Sequence, residues 1–287
     1  MLVAFATVAA GCQPTLRVRG QAATAGAGLP QAPAAKALAP TSPRPSAERG
    51  RAVFERACWP CHGNTGLGDG PAAAGLVAPH KNPMTDFFGM FGIKIKGEDL
   101  PSRPANFHNQ VAMRLNAPFS LFEVIKLGRP HTAMPAFGPK AAYGANRGFP
   151  TLTDAQIWDV LFYEWTFATT PAAVERGRRI YQEQAIAIGG QPVTCAACHG
   201  PAGDGRGGAR SAEMAARVWG WDKGVGPGIF TDVNRMLQQK PAELFQRIVR
   251  GHGLMPAYGD LLGEEDVWAL VDYLWTFVYD YRPARGQ

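Results

Sequence analysis

The sequence predicts an all-α fold made of two tandem copies of one small helical unit. Three observations carry this expectation. A pattern C-x-x-C-H occurs twice, as Cys58-Trp59-Pro60-Cys61-His62 and as Cys195-Ala196-Ala197-Cys198-His199. Around each copy the same order of helix and turn signals recurs, which marks an internal repeat. The composition, with 34 Gly, 24 Pro and only 18% charged residues, suits short helices joined by long loops around a large buried group. A hydrophobic content of 46% and an aromatic content of 10% set most of the chain apart from disordered polymers.

Residues 1–12 form an apolar run too short to cross a bilayer as a helix. The run is similar to the apolar core of a secretory signal. It ends in Ala9-Ala10-Gly11-Cys12, which resembles the lipobox of bacterial lipoproteins and implies lipidation at Cys12. No basic residue precedes the run, a departure from that pattern, and an uncleaved apolar tail with a free thiol is the alternative. Residues 13–45 are rich in Ala, Pro and Gly with few large apolar side chains, and read as a semi-extended tether. The first repeat is expected over residues 46–170, the second over 171–282, and a short tail over 283–287.

The net charge is +6, of which +4 lies in residues 1–45, +2 in 46–170 and 0 in 171–287. The basic excess thus sits mainly in the tether. A pI of 9.2 is therefore no nucleic-acid signal, although a weakly basic tether would be drawn to anionic lipid.

Within the repeats, Glu48–Phe54 recurs as Glu175–Tyr181, and each stretch opens a short helix before a C-x-x-C-H. A Gly follows each motif, and Gly-Asp-Gly follows at 68–70 and 203–205. A gapless block from Pro104 to Gly128 aligns with Pro227 to Gly251, with a short helix in its second half. Next come Met134-Pro135-Ala136-Phe137-Gly138 and Met255-Pro256-Ala257-Tyr258-Gly259. Each copy closes with an amphipathic helix. One carries Ile157, Trp158, Leu161, Phe162 and Trp165 at helical spacing behind capping residues Thr153 and Asp154; the other carries Val267, Trp268, Val271, Leu274, Trp275 and Val278. The alignment places insertions within Ala185 to Thr194 of the second copy and within Gly138 to Pro150 of the first.

C-x-x-C-H is the attachment pattern of a c-type haem. Two thiols on one turn can add to the two haem vinyl groups, and the adjacent His then lies under the iron. Cys58, Cys61, Cys195 and Cys198 are accordingly the candidate attachment residues, and His62 and His199 the proximal iron ligands. Zinc would require four ligands per site, and no further Cys is at hand to supply them. With these parts in order, each repeat resembles a class I cytochrome c domain, and the resemblance covers about residues 46–282. It implies two covalently bound haem c groups, with Met134 and Met255 as the sixth iron ligands. His80, His108 and His131 in the first repeat and His252 in the second are the competing distal candidates. It also implies that a proline carbonyl accepts the second ring N–H of the proximal His. Pro104 and Pro227 are the candidates, with Pro71 or Pro201 the alternatives. Gly50 and Gly177 would let the first helix cross closely over the last, packing Phe54 and Tyr181 near Tyr163 and Tyr273. Trp158, Trp165, Trp268 and Trp275 would form haem-pocket core.

Six-coordinate iron leaves no open position for a substrate, so the expected function is one-electron transfer rather than catalysis. The expectation is a dihaem cytochrome c on the extracytoplasmic, periplasmic face of the cytoplasmic membrane, lipid-anchored through Cys12. Its partners would be redox proteins, among them a respiratory or photosynthetic membrane complex, and not nucleic acid. The alternative is an enzyme of the dihaem cytochrome c peroxidase kind, which also carries two C-x-x-C-H motifs.

Overall fold

In a computed structural model of the chain, the described residues are 44–76, 90, 103–129, 132–139, 148–188, 191–207, 227–253 and 255–281. All lie within one unit, Leu38–Gln287. Cys12, His80 and His131 are outside the described residues.

The first repeat opens with α1 (Ala47–Ala57), where the Ser46 side chain accepts a hydrogen bond from the Arg49 N–H. Its buried positions Ala47, Gly50, Val53, Phe54 and Ala57 share one face at helical spacing. Then comes α2 (Trp59–His62), a single turn stopped by Gly63 at φ +76°. A loop leads to α3 (Gln110–Leu115), capped by Asn109, and to α4 (Pro118–Leu127), which starts on a proline. The repeat closes with α5 (Asp154–Thr166). There Thr153 and Gln156 form a reciprocal capping box, so two otherwise unpaired backbone N–H groups are satisfied.

The second repeat follows the same plan: α6 (Pro171–Gln182), α7 (Cys195–His199), α8 (Val233–Leu237), α9 (Pro241–Arg250) and α10 (Glu264–Trp275). Between α6 and α7 the ten-residue insertion adds a small antiparallel hairpin, β1 (Ile186–Ile188) with β2 (Gln191–Val193), in register Ile186 to Val193. It is the only strand pair among the described residues, and the fold is otherwise helical.

In each repeat the first helix crosses the last at a glycine. A Cβ on Gly50 would collide with the Asp159 carbonyl oxygen, and one on Gly177 with the Ala269 carbonyl oxygen. The close approach lets one ring of the first helix reach three others. Phe54 lies 5.2 Å from Tyr163, 5.5 Å from Phe167 and 6.3 Å from Phe107. Tyr181 lies 5.3 Å from Tyr273, 5.5 Å from Phe277 and 6.3 Å from Phe230. Burying each such ring is worth about 1.5–3 kcal/mol, so these two clusters dominate the local packing.

The repeats meet along an aromatic seam. Phe162 stacks on Tyr279 at 4.3 Å, Trp165 meets Trp275 at 5.6 Å, and the Arg114 guanidinium sits 3.7 Å over the Trp268 ring. The backbone closes the seam as well. Ala47 N–H donates to the Asp280 carbonyl at 3.2 Å, and Asp280 N–H donates to the Pro45 carbonyl at 2.8 Å. Arg44 adds bonds to the Thr276 and Tyr279 carbonyls. Arg49 and the Ser46 N–H converge on the buried Asp159 carboxylate at 2.8–2.9 Å. Through the Ala47, Pro45 and Arg44 bonds the start of the first repeat is tied to the end of the second.

Candidate haem sites

Each C-x-x-C-H forms one helical turn, α2 or α7, which puts both cysteines and the histidine on a single short support. The loop after it is shaped by glycines that repeat between copies: Gly63 with Gly200, Gly66 with Gly203, and Gly68 with Gly205, all at φ between +70° and +79°. The ring faces set the pairing, since Gly66 lies against Phe167 and Gly203 against Phe277. The Gly-Asp-Gly match at 68–70 and 203–205 is therefore two residues out of structural register. Asp69 and Asp204 nevertheless serve the same end, each reaching the glycine after its own histidine.

The two C-x-x-C-H histidines are held from behind. His62 Nδ1 lies 3.2 Å from the Ala105 carbonyl oxygen, and His199 Nδ1 lies 3.0 Å from the Gly228 carbonyl oxygen. A carbonyl only accepts, so Nδ1 carries the proton and Nε2 keeps its lone pair for a metal. Phe107 stacks on His62 at 4.6 Å and Phe230 on His199 at 4.9 Å, which fixes each ring plane. Burial lowers the pKa of both imidazoles, so the neutral, ligating form is favoured. The acceptors are Ala105 and Gly228, one residue beyond the expected Pro104 and Pro227. The proline carbonyl faces elsewhere: a Cβ on Gly68 would come within 2.5 Å of the Pro104 oxygen. The alternative Pro201 carbonyl accepts from Gln182.

The methionine loops are stitched to the ends of the preceding helices. Phe137 and Gly138 donate to the Ile125 and Lys126 carbonyls, and Tyr258 and Gly259 donate to the Ile248 and Val249 carbonyls, all at 2.9–3.1 Å. These bonds satisfy helix-end carbonyls that would otherwise be unpaired. They also place Met134 and Met255 in equivalent positions. Gly128 and Gly251, at φ +75° and +73°, make room for the crossing chain.

The second site is an apolar crevice, and Cys195, His199 and Met255 share its wall with Phe230, Leu270 and Leu274. A C-x-x-C-H cysteine, a neutral imidazole and a thioether around an otherwise apolar slot fit a covalently attached haem. Burial pushes the Cys195 thiol up to about 11 and the Cys58 thiol well above its usual value, so neither is a thiolate before attachment.

Of the competing distal candidates, His108 is exposed and its Nε2 lies 2.7 Å from the Thr65 carbonyl oxygen, while His252 is exposed beside Met255. Trp165, Trp268 and Trp275 depart from expectation. Trp165 and Trp275 meet each other at the seam, and no Trp lines the second crevice. The seam itself was not anticipated, nor was the buried Glu164 in α5.

A duplicated module of this kind, holding a covalent haem between helices and a ligand loop, defines a dihaem c-type electron-transfer protein. Residues 47–166 match the family Cytochrome c, and residues 172–274 match the family Cytochrome C oxidase, cbb3-type, subunit III. The chain belongs to the cytochrome c proteins, as two class I domains in tandem with one haem c each. No curated protein matches it. Among solved structures, a chain of the reducing HAO-like protein complex of Kuenenia stuttgartiensis is 20% identical over 82% of this chain and 98% of its own, with a TM-score of 0.29.

Proposed function

We propose that the protein relays single electrons between a membrane-bound donor complex and an acceptor outside the cytoplasm, with both irons ligated by His and Met. The assigned pairs are His62 with Met134 and His199 with Met255, on haems attached at Cys58 and Cys61 and at Cys195 and Cys198. The observation that carries this reading is the duplication of the whole site, histidine support and methionine loop alike. A catalytic haem needs an open position, and among the described residues no feature sets one site apart as open. When bound, the haem supplies an iron that cycles between ferric and ferrous, and a thioether ligand favours the ferrous form and raises the potential. The chain's share is to orient the imidazoles, hold the methionine loops and exclude water.

Lipid anchoring at Cys12 on the periplasmic face belongs to the same proposal and is supported by the Ala9–Cys12 sequence and the tether behind it. Among the described residues no helix is long and apolar enough to cross a membrane. The match of the second repeat to an oxidase subunit family supports work within a respiratory complex. Adding carbon monoxide to the fully reduced protein, and peroxide to the half-reduced protein, tests the reading. Closed sites predict an unchanged spectrum and no peroxide turnover. Carbon monoxide binding with peroxide consumption would place the protein among the peroxidases instead.

A further inference from the structure

The two crevices can be laid over one another residue by residue. The helix crossings fix the overlay, because Gly50 meets Asp159 and Tyr163 where Gly177 meets Ala269 and Tyr273. On that register Glu164 is the counterpart of Leu274, which lines the second crevice. The apolar neighbours Phe230, Ile248 and Leu270 have apolar counterparts in Phe107, Ile125 and Val160, all buried. The exchange of Leu274 for Glu164 is the one that introduces a charge. Glu164 is only 7% exposed, and burial alone acts on its carboxyl, with no ion pair or side-chain hydrogen bond to it among the described residues. It lies close enough to Cys58, a first-haem attachment residue, for its charge to raise that thiol's pKa.

We propose that Glu164 couples the first haem to a proton. When a one-electron donor protein reduces the iron from ferric to ferrous, the Glu164 carboxylate takes one proton from water, and on reoxidation it returns it. The second haem, with Leu274 in that place, passes its electron without a proton. The physics is that of a buried charge without a partner. A carboxylate in an apolar wall is costly, and the positive charge at ferric iron offsets part of that cost. Reduction removes this attraction, so the carboxyl binds its proton more tightly. Burial alone already lifts it to about 8, which brings the exchange near neutral pH.

The neighbouring elements bring their own charged and titratable groups. From α1, Arg49 is held by Asp159 and Arg51 by Glu55, while Arg56 acts on Cys58. From α4, Lys126 is held by Asp154. From the second repeat, Tyr279 stacks on Phe162 with its buried hydroxyl unpartnered among the described residues, and Asp272, raised to about 7 by burial against the opposing Arg114, acts on that hydroxyl. Cys58 is the group on which the Glu164 charge acts, and thioether formation removes its titration.

The inference rests on the chain being a reversible one-electron carrier. Its test is a potentiometric titration of the intact dihaem protein over a range of pH. One midpoint potential should fall as pH rises, by at most about 59 mV per tenfold change in proton activity for a one-electron couple, and the other should stay flat. Glu164→Gln should flatten the first, and Leu274→Glu should give the second a slope of its own. In the wild-type protein, the redox-difference infrared spectrum should gain a protonated-carboxyl band on reduction. A slope that survives Glu164→Gln, two wild-type potentials falling together, or no carboxyl band would overturn the proposal. Two reversible potentials both flat in pH would remove it too, and would leave the electron-carrier reading standing.

Discussion

At the residue scale, His62 and His199 each present a neutral imidazole whose Nδ1–H is held by a backbone carbonyl, Ala105 or Gly228. The C-x-x-C-H pattern named four cysteines and two histidines, and the Met-Pro dipeptides named two further side chains that the structure sets in equivalent loops. The histidine supports were not legible. Ala105 and Gly228 act through backbone carbonyls, which carry no side-chain signature, and the preceding prolines drew attention by being the visible residues. Glu164 had a faint signal, since Tyr163-Glu-Trp165 aligns with Tyr273-Leu-Trp275, but only the buried helix face gives the mismatch meaning. It also governs stability. Burial raises its pKa from 4.5 to about 8, so the folded state holds a proton that the unfolded chain releases. Stability from this group is present in full below about pH 4.5 and is lost as pH rises towards 8. Thermal unfolding of the haem-loaded protein should show a fall in midpoint across that window, and Glu164→Leu should reduce the fall.

Helix starts could be read at the element scale, because caps are local chemistry. Thr153, a capping residue expected of α5, acts within one turn of the residues it organises. The β1–β2 hairpin could be located only as an insertion, because strands of three residues leave too short a pattern to show their period. The Gly-Asp-Gly mismatch has a related cause: glycine spacing repeats, whereas the ring each glycine faces is a tertiary fact. The helix crossings are the sharpest element-scale test. A methyl group at Gly50 or Gly177 must displace a carbonyl of the facing helix. Gly50→Ala or Gly177→Ala should therefore cost about 1–3 kcal/mol, read as a lowered denaturation midpoint. A change within error would mean that the crossing yields easily.

For the molecule as a whole, the duplication was plain from sequence but the joining of the copies was not. Seam residues look like ordinary core, and a periodic apolar face does not say which neighbour covers it. The structure shows Phe162 and Trp165 of one repeat on Tyr279 and Trp275 of the other. Tyr279→Ala removes a fully buried ring and should cost about 3–5 kcal/mol, in the range for large buried aromatics. It should also split thermal unfolding into two transitions followed at the haem absorption, one per repeat. A single transition at the wild-type temperature would show that the seam contributes little.

The central claim is that the chain carries two closed haem sites, each with its own histidine and methionine. The most direct measurement is the far-red absorption of the oxidised protein, where a sulfur-to-iron charge-transfer band reports methionine ligation. The account predicts that band in the wild type, with Met134→Ala and Met255→Ala each removing only its own share and the double variant removing all of it. A wild-type spectrum without the band, or a band untouched by either substitution, would contradict it.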